Sequence, residues 1–159
     1  MKKFLSLLLF FISAPTWASE YSLVGSWQCL SQFTWDNSPD VIRSSSTVHY
    51  NADGTGSDTV LRVIYNNEEY GQQAHWISTN YNWQMLDDNH YQISARELNK
   101  LIVYDLYDNA PIINESKTEK FKSDFLAYIK TPIVNEIIFW DNNTYSRVDT
   151  GVNQICHRI

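Results

Sequence analysis

Cysteine and glycine are both scarce in this chain, with 2 and 5 copies among 159 residues, and histidine occurs only 4 times. His49, His75, His90 and His157 stand singly, with no His-x-His or His-x-x-x-His spacing, and neither cysteine has a second thiol nearby. The usual zinc motifs are thereby excluded, and each histidine reads as a surface or structural residue. The glycines are too dispersed to form a loop that cradles phosphate. Ser44-Ser45-Ser46 lacks the Gly-x-Ser-x-Gly elbow of a serine nucleophile. Glu68-Glu69 and Asp87-Asp88 are neighbours in turns rather than carboxylates opposed across a cleft, as glycoside hydrolysis needs. With no assembled catalytic motif, the expectation is a non-enzyme with no cofactor and no metal. Basic charge is also short. Lys+Arg number 12 against 18 Asp+Glu, for a net charge of −6. That balance argues against nucleic acid and anionic membranes as partners and leaves room for a basic one.

What the chain does have begins with a leader. Lys2 and Lys3, the apolar run from Phe4 to Ile12 and the small-x-small site Thr16-Trp17-Ala18 form a secretory signal over residues 1–18. The apolar run is about half the roughly 20 residues that span a bilayer, so cleavage is favoured over anchoring. No cysteine follows the cleavage site, which argues against lipidation. The mature chain, 19–159, is expected to be one domain, periplasmic or secreted, with no membrane span. In an oxidising compartment its two cysteines read as one disulfide, Cys29–Cys156. Two buried free thiols, the alternative, would suit the cytosol better.

Short alternating segments fill the rest. Strands are predicted over Gly25–Phe33, Arg43–Tyr50, Asp58–Tyr65, Ala74–Met85, His90–Glu97, Leu101–Leu106, Val134–Trp140, Thr144–Asp149 and Asn153–Arg158. Asn51-Ala52-Asp53-Gly54, Asp87-Asp88-Asn89 and Asp141-Asn142-Asn143 supply turns. One segment departs from the period of two. Ser116-Lys117-Thr118-Glu119 has the form of a capping box, and Phe121, Phe125, Tyr128 and Ile129 recur at helical spacing before Pro132. An amphipathic helix over Lys117–Lys130, lying on a barrel or across its end, is expected; a long edge strand is the alternative. The fold class is therefore all-β: an antiparallel meander closing into a small barrel of 8–9 strands, with one helix before the last strands.

The two chain ends set a register. If the last strand runs antiparallel to the first, the pairing that opposes Cys29 and Cys156 also opposes Trp27 and Arg158. All four then share one sheet face, where a guanidinium over an indole contributes about 0.5–2 kcal/mol. Leu23-Val24-Gly25-Ser26-Trp27, the Asp53-Gly54-Thr55 turn and Cys156-His157-Arg158 resemble the lipocalin-like (calycin) barrels of exported bacterial proteins. The resemblance implies that Gly25 and Trp27 open the barrel and that Arg158 packs on the indole as structural closure. Unlike secreted eukaryotic lipocalins, the chain carries no Thr-Asp-Tyr type motif in its middle.

Aromatics make up 14% of the sequence and are its remaining signal. Tyr81, Trp83 and Met85, with Ile77 on the same strand face and Phe33, Tyr50 and Tyr65 elsewhere, are the residues expected to line any pocket. Small barrels usually fill their interior with side chains, so a packed aromatic core is the first expectation and an open pocket the second. Any pocket should lie at the end away from Trp27. Function follows as a binding barrel for a small hydrophobic or amphipathic ligand. The alternative is a protein-binding module, of the hydrolase-inhibitor or toxin-immunity type, engaging a basic protein partner.

Overall fold

The computed structural model describes residues 21–34, 41–65, 72–107, 110–149 and 152–159. The leader, the 35–40 loop and the Glu68-Glu69 pair lie outside the described residues. The strands are β1 (Gly25–Thr34), β2 (Val41–Tyr50), β3 (Thr55–Tyr65), β4 (Gln73–Met85), β5 (His90–Tyr107), β6 (Ala110–Ile113), β7 (Ile133–Asp141), β8 (Thr144–Asp149) and β9 (Val152–Arg158). One helix, α1 (Glu115–Tyr128), separates β6 from β7. Pairing runs β4-β3-β2-β1-β9-β8-β7-β5, and β4 also pairs with β5. The expected antiparallel barrel thus closes with eight strands, and β6 is an extra strand on the edge of β5.

Closure at the chain ends follows the register read from the sequence. Trp27 faces Arg158, Cys29 faces Cys156, and the two sulfurs are bonded. The Arg158 guanidinium carbon lies 4.3 Å from the centre of the Trp27 ring. Its three nitrogens donate to the carbonyls of Asn142 (3.0 Å), Val24 (2.8 Å) and Ser22 (2.9 Å). Trp27 Nε1 donates to Leu23 O at 2.7 Å, and Tyr145 meets the indole edge-on. Gly25 explains the first half of Gly-x-Trp. Its φ is +134°, and a Cβ there would stand 2.5 Å from Arg158 Nη1. The glycine therefore leaves room for the guanidinium that seals this end.

Three sequence expectations shift. The two strands placed at His90–Glu97 and Leu101–Leu106 are one strand, because the residues between them keep pairing with β4. The break in alternation that suggested two strands is a pair of register shifts opposite Asn80/Asn82 and Ser78/Thr79. At the first of these, Ala95 takes φ 47°, which reverses the strand's inward parity and turns Arg96 toward the interior. The segment 110–113, to which the sequence pattern assigned no element, pairs with β5 as β6. The helix starts at Glu115, not Lys117. Asn114 caps it by accepting from Lys117 N at 2.9 Å, so Ser116 of the expected capping box lies inside the first turn.

The helix occupies an edge the barrel would otherwise leave open. β5 pairs with β7 only from His90 to Ile93. Beyond that point Val103 N donates to Thr118 Oγ1, and Asn114 N donates to Val103 O. At the other end of α1, Arg96 Nη2 donates to the carbonyls of Tyr128 (3.1 Å) and Thr131 (3.0 Å). The last turn has no basic residue of its own, so β5 supplies the cation that its exposed carbonyls favour. Asp105 ties down the start of α1, accepting from Lys117 Nζ and Asn114 Nδ2, each at 2.7 Å. Those two bonds hold the Asp105 carboxyl below the usual carboxylate range.

Candidate functional site

The barrel interior has two unlike halves. Toward Trp27 it is solid: Tyr50, Tyr91, Tyr145 and Ile137 are fully buried around the disulfide, with Tyr81 beside them. Tyr50 Oη donates to Tyr91 Oη at 3.1 Å. Burial pushes the hydroxyls of Tyr50, Tyr81 and Tyr145 up, so all three stay neutral hydrogen-bonding groups. The aromatic packing expected of a small barrel is realised in this half.

The other half holds a cavity of about 740 Å³ beneath α1. Its size falls within the roughly 300–1,000 Å³ of sites that take small molecules. Phe33, Val60, Ile77, Ile93 and Ile133 line its walls, and Phe121, Phe125 and Tyr128 reach down from the helix. Phe121 and Phe125 also pack on Ile77, Leu101 and Val103, which fixes the helix to the wall. The rings of Phe121 and His75 are 4.5 Å apart. His75 is held neutral: burial, then the charges of Arg62 and Lys117, push its pKa down to about 4.

Lower in the cavity, next to the tyrosines, the lining turns polar. Ser46, Asp58, Thr79, Asn135, Arg147 and Gln154 come from six different strands. Asp58 accepts a short hydrogen bond from Thr79 Oγ1. Burial raises its pKa, against the opposing pull of that bond and of the charges on Arg147 and Arg96. Gln154 Nε2 donates to Ser46 Oγ at 3.2 Å, and Arg147 Nη1 donates to Tyr91 Oη at 3.2 Å. The cavity is thus amphipathic, with aromatic rings reaching in from the helix and polar groups above the tyrosines, while Arg62, Arg96 and Asp124 add charge on the helix side.

Of the residues singled out from the sequence, Phe33, Ile77 and Tyr81 line this cavity. Tyr50 lies beneath it in the packed half. Tyr65 stands on the outer face, where its ring meets Arg43 at 5.4 Å. Trp83 and Met85 sit past the closed end and line a separate recess of about 310 Å³ with Tyr21, Leu23 and Phe139. There Trp83 Nε1 donates to the carbonyls of Asn51 and Thr55, which fixes it in the β2–β3 turn. A thirteen-residue strand explains the separation. Its inward face passes from cavity to packed core to rim, so residues sharing that face do not share a chamber.

Arg96, Arg147 and Asp58 were not picked out from the sequence. Arg147 had a usable signal, since it alternates with Tyr145, which lies opposite Cys156. Arg96 had none, because its inward direction depends on the bulge at Ala95. The Ser44–Ser46 run serves the strand faces: Ser44 bonds Ser31 at 2.6 Å, and Ser45 accepts from Gln28. Among the described residues no group of three His, Cys, Asp or Glu side chains could hold a metal ion. No helix among them is long and apolar enough to cross a membrane. Set against family models and against curated proteins, the chain matches none.

Proposed function

We propose that this chain is an exported, lipocalin-like binding protein that carries one small amphipathic ligand and performs no chemistry on it. The observation that carries the reading is the cavity of about 740 Å³ between α1 and the tyrosines. An apolar upper wall offers burial of a hydrophobic body, worth about 25 cal/mol per Å² removed from water. A few polar groups below it would fix orientation, the usual division of labour in a small-molecule site. The Cys29–Cys156 bond supports export, since disulfides persist in oxidising compartments.

The test uses the neutral fluorophore N-phenyl-1-naphthylamine and the variant Val60→Phe, which adds a ring to the cavity wall. Saturable binding at one site per chain, weakened at least about tenfold in the folded variant, is the expected outcome. Absence of saturable binding, or equal binding by both proteins, would rule the reading out.

A further inference from the structure

The cavity carries charges of both signs in its lining. Arg62, Arg96 and Arg147 line it against Asp58 and Asp124, in a chain whose net charge is −6. Arg96 is engaged with the carboxyl end of α1, and its guanidinium lies 4.8 Å from the centre of the Tyr128 ring. Arg147 is different. Its side chain is partly buried and lines the cavity, where burial strips water from its charge. Among the described residues its guanidinium has one hydrogen bond, to Tyr91 Oη, and its buried Nε has no partner.

No described carboxylate comes within the 4.0 Å of an ion pair with Arg147. Asp58 feels its charge, but that carboxyl lies beyond this distance and is bonded to Thr79. A guanidinium cannot shed its proton at any ordinary pH, so it cannot escape the cost of burial by becoming neutral. Buried charges are ordinarily paired. The Arg147 guanidinium lines a chamber that opens onto aromatic rings.

We infer that the ligand is an amphipathic carboxylate, its head group on the Arg147 guanidinium and its apolar body under Phe121 and Phe125. This rests on the cavity being a ligand site, as proposed above. A carboxylate supplies the guanidinium with a charge-assisted hydrogen bond and one compensating charge.

The test compares dodecanoate with dodecanol, which share a tail and differ in the head, by displacement of N-phenyl-1-naphthylamine. Wild-type protein should prefer dodecanoate by about 10- to 100-fold, the worth of a charge-assisted hydrogen bond. Arg147→Met should bring the ratio to about two or below while dodecanol binds as before. Should that variant not fold, Arg147→Lys keeps the charge without the fork, and an intermediate ratio is expected. Equal wild-type affinity for acid and alcohol would overturn the inference and leave the binding reading standing. So would an undiminished preference in the folded Arg147 variants. Failure of the fluorophore itself to bind would remove both.

Discussion

Reduction of the Cys29–Cys156 bond should lower stability by about 5 kcal/mol without dismantling the barrel. The two residues are 127 apart in sequence and join the first strand to the last. In the chain-entropy model a loop of that length costs the unfolded chain about 16–17 cal/mol/K of freedom, or about 5 kcal/mol at 25 °C. Reduction removes no strand pairing, since β1 remains paired with β2 from Gly25 to Thr34 and with β9 from Trp27 to Ser31. The loss therefore falls on the unfolded state, and the native barrel should persist with the two thiols side by side in the core. Set against a typical domain stability of about 5–15 kcal/mol, the reduced protein would be left marginal. The assay is urea denaturation of oxidised and reduced protein by far-ultraviolet circular dichroism, with Cys29→Ala/Cys156→Ala as a third sample. Native spectra should coincide in dilute buffer, and the thermal midpoint should fall by about 15 °C. A stability difference below about 1 kcal/mol would refute the claim that this crosslink restrains the unfolded chain.

His75, held neutral with a pKa of about 4, makes the fold acid-sensitive. Below its ordinary pKa of about 6.5 the unfolded state takes up a proton that the folded state refuses, so stability falls between about pH 6.5 and 4, by at most about 3 kcal/mol. In His75→Phe, urea midpoints at pH 7 and 4.5 should differ by less than in the wild type; an unchanged pH slope would contradict this. Asp58 acts in the opposite sense, because its pKa is raised. Its burial as an anion costs stability above its ordinary pKa, so Asp58→Asn should raise the melting temperature at pH 7, with the gain shrinking as pH falls. A variant less stable than wild type at pH 7 would show that the anion is instead needed. Gly25→Ala should cost about 1–3 kcal/mol, because a side chain there meets both a positive φ and the Arg158 guanidinium. A neutral result in thermal denaturation would remove Gly25 from the closure of the barrel.

The closing seam was readable from the sequence because its constraints reinforce each other. Opposed residues on antiparallel strands have a constant index sum, and one sum satisfied both Cys29–Cys156 and Trp27–Arg158. Strand existence was equally legible from alternation, as in β1, where Trp27 and Cys29 face in and Leu30 faces out. The cavity was only partly legible. Phe33, Ile77 and Tyr81 were placed by parity alone, but parity gives the face of a strand and not the height along it. Trp83 and Met85 shared the right face and belonged to the wrong end. Arg96 was beyond reach, since one residue in a left-handed conformation, Ala95, decides which way it points. The aromatic roof was visible as a helical repeat, yet the chamber beneath it depends on β5 parting from β7 after Ile93. Nothing in a single strand's pattern announces where two strands diverge.

The central claim is that the ligand sits inside the barrel, between α1 and the tyrosines. Methyl-selective NMR of the complex with N-phenyl-1-naphthylamine tests it directly, through nuclear Overhauser contacts between probe and protein methyls. The account expects contacts to Val60, Ile77 and Ile93, which line the cavity. It expects none to Leu30, Leu61 or Ile155, which are exposed. Contacts confined to that exposed set would contradict it.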